Sequence, residues 1–325
     1  MPVSSPPSVD DIERAVSAIG ARPLPLTPVF SSWILDQEAD ARLHFKMENF
    51  MRDVGAFKSR GALNALMNLS ERDRAKGVVT HSSGNHGQAL AWAAKKFGTR
   101  AYIVMPSNAK EIKKRGIREF GGNIIECEPT QCSREDICEQ VRRETGALLV
   151  HPFNDDAVIA GQATAAWELM RMVPEQLDAI VVPVGGGGLI SGTALAAHAF
   201  SPATEIIGAE PSGADDAYRS LQAGRIIKNE TVNTIADGLR SNLGDKTFAI
   251  MRKHVDQILL VDDHEIAEAM RILGERLRAV VEPSGAVPYA AIRKYPDVFA
   301  GKRVGIILSG GNVDPDNIPF PRRHG

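Results

Sequence analysis

The chain is poor in cysteine and in long apolar runs, and each shortage excludes a class of protein. Only three of its 325 residues are cysteines, Cys127, Cys132 and Cys138, and their spacing matches no Cys-x-x-Cys metal or redox motif. We interpret them as reduced thiols on or near a helix. The longest apolar runs, such as residues 179–184, have the length of a strand and are far too short to span a membrane.

An excess of charge of one sign is also missing. The formal net charge is -2 at pH 7, so no overall field favours nucleic acid or an anionic membrane as a partner. The N-terminus has no basic start followed by an apolar stretch, so we expect no signal peptide and a cytoplasmic location. We expect residues 1–8 to be a disordered tail.

Short apolar segments alternate with helical patterns along most of the chain. Predicted strands at residues 77–80, 101–105, 123–127 and 147–150 are separated by predicted helices. The alternation returns with a predicted helix at 161–172 and continues to a predicted helix at 286–294 and a final strand at 303–308. This order is typical of an α/β fold with parallel sheets covered by helices. We predict two lobes, a small domain over residues 77–147 and a large domain formed by residues 1–76 and 148–325.

Four motifs that contain glycine stand out. They are Val-Gly-Ala-Phe-Lys-Ser-Arg-Gly-Ala at 54–62, Thr-His-Ser-Ser-Gly-Asn-His-Gly-Gln at 80–88, four glycines at 185–188, and Leu-Ser-Gly-Gly-Asn at 308–312. The glycine run lies between a predicted strand and a predicted helix, where backbone amides bind phosphate, although a plain tight turn is the alternative. It is neither a dinucleotide fingerprint nor a P-loop, because the spaced glycines and the Lys-Ser/Thr pair are missing.

Together and in this order, the four motifs resemble those of the fold-type II family of pyridoxal-phosphate enzymes, whose fold is like that of the tryptophan synthase β subunit. Within that family the chain is similar to serine racemase and to the dehydratases of serine, threonine and 3-hydroxyaspartate, from about residue 25 to residue 314. The resemblance implies pyridoxal 5′-phosphate as the cofactor, a two-lobed α/β fold and a homodimer.

Lys58 is the residue that the resemblance assigns to the covalent link with the cofactor. A nucleophilic amine needs a rigid, partly desolvated place so that it is neutral at working pH. The start of a predicted helix also disfavours an ammonium group. Phe57, in the same motif, would lie against the face of the cofactor ring. Without such neighbours, Lys58 would be interpreted as an ordinary solvated helix lysine.

The motif at 80–88 lies where backbone amides at a helix start bind a carboxylate. The resemblance assigns the substrate carboxylate to four residues of this motif, Ser82, Ser83, Gly84 and His86. It also implies that Asn85 bonds to the phenolic oxygen of the cofactor. Ser83 matches the serine that faces the substrate opposite the lysine in serine racemase, so we expect Lys58 and Ser83 to be the catalytic pair. Carboxylate binding alone is the alternative for Ser83, and His86 is interpreted as structural rather than as a base.

The resemblance completes the cofactor site with residues from the second half of the chain. Four glycines would hold the phosphate, namely Gly185, Gly186, Gly187 and Gly188. Ser309 would be the partner of the pyridine nitrogen, and Glu282 would lie beside the cofactor. A hydroxyl partner gives a weaker electron sink, which suits loss of an α-proton followed by departure of a β-hydroxyl. A turn serine and a helix-terminal carboxylate are the alternatives for Ser309 and Glu282.

An acidic loop matches the divalent-cation site of serine racemase. Glu210, the carbonyl of Ala214 and Asp216 would be the ligands. Hard oxygen donors together with water suit magnesium, calcium or manganese. A solvated acidic loop without metal is the alternative.

Two further residues are expected to bind the substrate. Arg134 lies in a stretch that approaches the substrate pocket in serine racemase, and Ser241 ends a segment that fits the same branch of the family. An arginine there could pair bidentately with a second carboxylate, which favours 3-hydroxyaspartate. A surface position at a helix start is the alternative for Arg134.

These assignments predict an ammonia-lyase that converts a small β-hydroxy amino acid, 3-hydroxyaspartate or L-serine or L-threonine, to a 2-oxo acid and ammonia. A serine or aspartate racemase with side eliminase activity is the second candidate. A non-catalytic amino-acid sensor is the third, and it would be expected to lack Lys58 or Ser309, both of which are present.

Overall fold

The computed structural model describes residues 5–20, 24–82, 84–109 and 111–314, without the side chains of residues 112, 131 and 132. The predicted N-terminal tail therefore lies partly outside the described residues. Residues 5–8 lead into the first helix, where the side chain of Ser8 accepts a hydrogen bond from the Asp11 amide (3.2 Å). Ser8 thus caps this helix.

Helices and strands alternate along the described residues. The helices are α1 (Val9–Gly20), α2 (Trp33–Ala39), α3 (Lys58–Met67), α4 (Glu71–Ala75), α5 (Asn85–Lys96), α6 (Glu111–Glu119), α7 (Gln131–Thr145), α8 (Asp156–Met172), α9 (Gly188–Phe200), α10 (Asp216–Ala223), α11 (Asp245–His254), α12 (Asp263–Leu277), α13 (Pro283–Lys294) and α14 (Pro296–Phe299). The strands are β1 (Val29–Phe30), β2 (Arg42–Met47), β3 (Val78–His81), β4 (Ala101–Pro106), β5 (Asn123–Cys127), β6 (Leu148–Leu149), β7 (Ala179–Pro183), β8 (Glu205–Pro211), β9 (Gln257–Val261) and β10 (Arg303–Leu308). Among the residues that the structure describes, no helix is both long enough and apolar enough to cross a membrane.

The strands form two sheets. The larger sheet has the order β1-β2-β10-β7-β8-β9 and is parallel except for the β1–β2 pair. The smaller sheet has the order β5-β4-β3-β6 and is parallel throughout. Parallel neighbours need crossover connections, which are mostly helical here. The predicted α/β fold, with parallel sheets covered by helices, is confirmed.

The central strands of the larger sheet are apolar on both faces. Every residue of β7 is buried, and so is every residue of β10 except Arg303. Helices cover both faces of such a sheet, so its strands appear in the sequence as unbroken apolar runs. This explains why these two strands are recognisable from the sequence alone.

Some helix boundaries differ from the predicted ones for local reasons. Helix α8 begins at Asp156 rather than at 161, because the Asp155 carboxylate accepts the Val158 amide (3.0 Å) and caps it. Helix α13 begins at Pro283 rather than at 286, because proline suits the first position of a helix. Helices α10 and α11 were not predicted.

Helix α3 lies between the two sheets. Its Leu63 and Leu66 share a hydrophobic core with Trp92 and Ile103 from the side of the smaller sheet. On its other side α3 packs closely on α8, where a Cβ on Gly161 would lie 2.7 Å from the backbone of α3. This packing places Lys58, the first residue of α3, close to the carboxyl ends of strands from both sheets. In open parallel sheets, ligands bind at such ends.

The division into a small domain at 77–147 and a large domain stays a prediction. The smaller sheet begins at Val78, and its last strand, β6, lies just beyond the predicted boundary. The core of the smaller sheet also takes in residues of α3, which belongs to the large domain in the predicted division.

Candidate active site

The amine of Lys58 is held by a carbonyl rather than by a carboxylate. Its Nζ donates a hydrogen bond to the Pro152 carbonyl (2.7 Å) and lies 5.0 Å from the centre of the Phe57 ring. Burial lowers the pKa of Lys58 to about 8, because desolvation disfavours the ammonium form. A substantial fraction of this amine is therefore neutral near pH 8, as nucleophilic amine chemistry requires.

The turn before Lys58 is tied to the end of β10. The Phe57 amide donates to the Ser309 carbonyl (3.0 Å), and the Gly311 amide donates to the Gly55 carbonyl (2.9 Å). Gly55 has a φ of +69°, and a Cβ there would lie 2.6 Å from Oδ1 of Asn312, so the turn requires glycine. The Phe-Lys and Ser-Gly-Gly-Asn motifs, far apart in sequence, thus form one unit.

Behind Lys58, a group of buried charges anchors the first turn of α3. The guanidinium of Arg60 donates to Glu48 (Nε to Oε2, 2.7 Å) and to Glu168 (Nη2 to Oε2, 2.6 Å). Nζ of Lys46 donates to the same oxygen of Glu168 (2.6 Å). Arg60, Lys46 and Glu48 are fully buried. Two cations thus neutralise two carboxylates, and together they hold the helix that presents Lys58.

The glycine run at 185–188 forms a buried turn between β7 and α9. A Cβ on Gly186 would lie 2.3 Å from the ring of Phe153. A Cβ on Gly187, whose φ is +85°, would lie 2.8 Å from Thr247. Side chains are therefore excluded from the turn, and its backbone is free to approach a ligand.

The buried amides of this turn have no acceptor in the described part of the chain. Those of Gly185, Gly186 and Gly187 form no hydrogen bond to any residue that the structure describes. Buried amides are normally paired, and several unpaired ones at the start of a helix form a cradle for an anion. The phosphate of the implied cofactor fits this cradle.

The start of α5 offers a second set of donors. Its first two amides, those of Asn85 and His86, have no acceptor among the described residues. Just before them, the Ser82 amide donates to the Val104 carbonyl (3.0 Å) and fixes the end of β3, and the Gly84 amide lies 3.4 Å from the Ser82 hydroxyl. The predicted catalytic residue Ser83 lies outside the described residues. Free amides at a helix start are suited to a carboxylate.

His86 is buried with its ring directed at the backbone. Its Nε2 lies 3.2 Å from the Val150 carbonyl, which only accepts, so Nε2 carries the proton. Burial lowers the pKa of His86 well below its usual value, and the charge of Lys58 adds to this effect. A neutral histidine bound to a carbonyl is consistent with the expected structural role.

Asn85 connects α5 to the opposite wall of the site. Its Nδ2 donates to Oε1 of Glu282 (2.7 Å), and its Oδ1 accepts from Nδ2 of Asn312 (2.9 Å). Burial raises the pKa of Glu282 to about 8, and the nearby carboxylate of Asp237 adds to the rise. Glu282 is therefore mostly protonated at neutral pH in the ligand-free protein.

Ser309 is buried at the end of β10. Its carbonyl accepts the Phe57 amide, and no hydrogen bond joins its hydroxyl to another residue in the described part of the chain. A hydroxyl that bonds to no described residue and lies close to the Lys58 motif fits the expected contact with a ring nitrogen. The donor set around Lys58 thus fits pyridoxal phosphate at its phosphate, ring and carboxylate-binding sides.

Two histidines, His151 near Lys58 and His81 against His151, were missed by sequence reasoning. His151 follows β6, its Nδ1 accepts the Asn154 amide (3.0 Å), and its ring centre lies 5.1 Å from that of His81. Burial lowers the pKa of His151 to about 3, with the charges of His81 and Lys58 acting in the same direction. Their position at the carboxyl ends of β3 and β6 is the signal that could have found them.

An ion pair also crosses the site. Nζ of Lys113, on α6, bonds to a carboxylate oxygen of Asp237, in the 3₁₀ turn Asp237–Leu239. Both side chains are about one-third exposed. The pair joins a helix that covers the smaller sheet to a loop beside Glu282. No pattern in the sequence predicts this contact.

The two residues expected to bind substrate differ in their surroundings. Arg134 lies in the first turn of α7, where its Nε donates to the Thr130 carbonyl (3.2 Å), and it pairs with no described carboxylate. Burial lowers the pKa of His81, and the charge of Arg134 acts in the same direction, so the guanidinium lies near the end of β3. Ser241 is exposed after the 3₁₀ turn.

The acidic loop after β8 is buried rather than solvated. Both oxygens of Glu210 accept amides at the start of α10, from Ala217 (3.0 Å) and Tyr218 (2.9 Å). The carboxylate of Asp216 accepts Nδ2 of Asn229 (2.8 Å) and the Leu243 amide (2.9 Å). Burial raises the pKa of both carboxyls, that of Asp216 to about 6.

Within the described residues, no group of three or more His, Cys, Asp or Glu side chains is arranged to hold a metal ion. The expected set has only two carboxylates.

Comparison with known proteins agrees with this geometry. Residues 23–310 match the family described as "Pyridoxal-phosphate dependent enzyme". The chain is 50% identical to the beta-hydroxyaspartate dehydratase of Paracoccus denitrificans (strain Pd 1222), over 90% of this chain and 93% of the relative. It is also 50% identical to the serine racemase of Arabidopsis thaliana, over 89% and 88%. The structure of maize serine racemase superposes with a TM-score of 0.93 at 45% identity and covers 96% of this chain and 95% of that one.

A family match over most of the length and half-identical relatives agree with a half-buried lysine beside an anion cradle. The chain belongs to the family of pyridoxal-phosphate-dependent enzymes.

Proposed function

We propose that this enzyme is an ammonia-lyase of small β-hydroxy amino acids, with 3-hydroxyaspartate, L-serine or L-threonine as substrate and a 2-oxo acid and ammonia as products. The observation that carries the proposal is the desolvated amine of Lys58, whose pKa of about 8 suits it to take a proton. A printed name among the half-identical relatives, beta-hydroxyaspartate dehydratase, supports the substrate class.

The division of labour follows from the residues described above. When bound, the cofactor supplies an electron sink for the pair that the α-carbon keeps as its proton leaves. Lys58 receives that proton at Nζ. Loss of the β-hydroxyl as water, and hydrolysis of the carbon–nitrogen bond by water, then give the 2-oxo acid and ammonia. Burial lowers the pKa of both His86 and His151, which makes them weak bases and leaves Lys58 as the base.

Recognition of the substrate is proposed to use two anion-binding features. The free amides of Asn85 and His86, with Ser82, Ser83 and Gly84, would bind the α-carboxylate. Arg134, which pairs with no described carboxylate, would bind a second carboxylate and favour 3-hydroxyaspartate over serine. Ser241 would contact the substrate from the loop after the 3₁₀ turn.

A serine or aspartate racemase is the second candidate. The name of the Arabidopsis relative, serine racemase, supports it. Racemisation needs a proton donor on the face opposite Lys58, and Ser83 is our candidate from the sequence motif.

We also propose a divalent cation at Glu210, the Ala214 carbonyl and Asp216. Both carboxylates are fully buried, and neither forms an ion pair with a described side chain. Buried charges need compensation, and magnesium, calcium or manganese would supply it with oxygen ligands.

A homodimer is proposed from the apolar surface. Leu26, Trp33 and Val280 are 63%, 75% and 63% exposed, and Phe50, which contacts Phe30, is 44% exposed. Asn49 bonds to the Val280 carbonyl (2.9 Å), so Phe50 and Val280 lie on one face. Large exposed apolar side chains mark an interaction surface. Light scattering after gel filtration tests the dimer.

The lyase is tested by incubating the purified holoenzyme with a panel of β-hydroxy amino acids and assaying both the 2-oxo acid and the enantiomers. Lys58→Ala should abolish turnover and the borohydride-stable link to the cofactor, whereas Lys76→Ala, at an exposed helix end, should change neither. A reduced adduct on a different lysine would refute the assignment. Racemisation without 2-oxo acid would favour the second candidate.

A further inference from the structure

Thr247 lies outside the predicted site, yet it is a fully buried polar residue packed against the glycine turn. It is in the first turn of α11, and its Cβ is close to Gly187. Its hydroxyl oxygen accepts the Gly244 amide (3.0 Å) and has two candidate acceptors, the carbonyl of Gly186 (2.8 Å) and that of Gly244 (3.2 Å).

The single hydroxyl hydrogen goes to Gly186. The carbonyl of Gly244 already accepts the Phe248 amide (2.9 Å), whereas the buried carbonyl of Gly186 has no other donor among the described residues. Leaving that carbonyl unpaired would cost the full desolvation of a buried polar group. The shorter distance points to the same acceptor.

The direction of this bond fixes the direction of an amide. In a planar trans peptide, the carbonyl of one residue and the amide of the next point to opposite sides. Because the Gly186 carbonyl is turned outward to Thr247, the Gly187 amide is turned to the other side, where it has no acceptor among the described residues. Thr247 thus controls one of the donors of the anion cradle.

We propose that Thr247 is a positioning residue for the cofactor phosphate, which acts by holding the Gly186 carbonyl outward and the Gly187 amide inward. This inference rests on the proposed role of the glycine turn as the phosphate site. It assigns Thr247 no contact with the cofactor itself.

The test separates phosphate binding from binding of the rest of the cofactor. Cofactor-free protein is titrated with pyridoxal 5′-phosphate and, separately, with pyridoxal, which has no phosphate. Thr247→Val keeps the shape of the side chain and removes the hydroxyl. It should weaken binding of pyridoxal 5′-phosphate about tenfold, as expected for a lost buried hydrogen bond, and leave binding of pyridoxal unchanged.

Two further variants make the result specific. Thr247→Ser restores the hydroxyl and should bind both ligands like the parent enzyme. Thr193→Val is the matched control, because Thr193 is also fully buried, lies on the helix that follows the glycine turn, and has a hydroxyl without a partner among the described residues. It should change neither affinity.

The outcomes distinguish two failures. If Thr247→Val weakens both ligands equally, or weakens neither, Thr247 does not position the phosphate site. The same conclusion follows if Thr247→Ser, which keeps the hydroxyl, binds pyridoxal 5′-phosphate more weakly than the parent enzyme does. This comparison does not depend on the valine variant, so it remains available if that variant does not fold. If the parent enzyme itself does not prefer pyridoxal 5′-phosphate to pyridoxal, the glycine turn is not the phosphate site, and the proposed site fails together with this inference.

Discussion

Asn312 determines which way the amide of Asn85 faces. One nitrogen, Nδ2 of Asn312, donates both to the Val54 carbonyl (2.7 Å) and to Oδ1 of Asn85 (2.9 Å). The Val54 carbonyl only accepts, so the NH₂ of Asn312 must face it, and Asn85 must present its oxygen to the second hydrogen. Nδ2 of Asn85 then faces Glu282, with one hydrogen left for an acceptor on the cofactor.

Replacing Asn312 should therefore change the cofactor spectrum. Asn312→Asp removes the donor and offers only acceptors, so the Asn85 amide should turn over, and the near-visible band should shift more than in Asn312→Ala. Absorption spectra recorded across a pH series provide the measurement. Asn49→Ala is the control, because it removes a similar amide-to-carbonyl bond, to Val280, and should leave the spectrum unchanged. Identical spectra for the parent and the aspartate variant would contradict the orientation argument.

Ser83→Ala should separate racemisation from elimination. Elimination of an L-substrate needs one proton acceptor, Lys58, whereas racemisation needs a second group on the other face. A serine hydroxyl is a poor base without activation, so racemisation is expected to be the slower reaction in the parent enzyme. The variant should lose racemisation of L-serine and elimination of D-serine more completely than elimination of L-serine. An unchanged ratio of the two rates, from paired enantiomer and 2-oxo-acid assays, would mean that Ser83 only binds carboxylate.

Glu282 should make the cofactor-free protein less stable as the pH rises. Its pKa is raised from 4.5 to about 8 on folding, so between these values the folded state binds a proton that the unfolded state has lost. The free energy of unfolding should then fall by at most about 1.4 kcal/mol per pH unit across this window.

Glu282→Gln removes this titration. Urea unfolding at pH 5.5 and pH 8 should show a smaller loss of stability for the variant than for the parent. Lys58, with a folded pKa of about 8 against 10.5, acts in the opposite direction, mainly above pH 8. It is present in both the parent and the variant, so the difference between them reports on Glu282. Equal losses in the parent and the variant would show that Glu282 is not the responsible group.

Removal of divalent cations should lower the thermal stability of the protein. An ion bound only to the folded state stabilises that state by mass action. A chelator should therefore lower the melting temperature, and magnesium or calcium should restore it. The double variant Glu210→Gln with Asp216→Asn should not respond to either. Asp215→Asn is the control, because Asp215 already pairs with Arg219. A parent protein free of metal and indifferent to added cations would exclude the site.

Residues in continuous motifs could be predicted from the sequence, and residues that meet only through the fold could not. Lys58 and the glycine run lie within short motifs, so their roles can be predicted from the neighbouring residues without a structure. Thr247 and Asn312 act through single hydrogen bonds to segments distant in sequence. His151 lies near Lys58 only because β6 ends beside it. The position of α8 was misjudged at its start, because one carboxylate at Asp155 decides where a helix begins.

The buried ion pairs behind Lys58 limit which substitutions this enzyme can accept during evolution. Arg60 bonds to both Glu48 and Glu168, and Lys46 shares Glu168. Loss of any one of these four side chains leaves an opposite charge buried and uncompensated. The typical cost is about 3–5 kcal/mol, which is roughly half the stability of an ordinary domain. Substitutions at these positions are therefore tolerated in compensating sets rather than singly. Sequence drift around the lysine should therefore show linked changes at these positions.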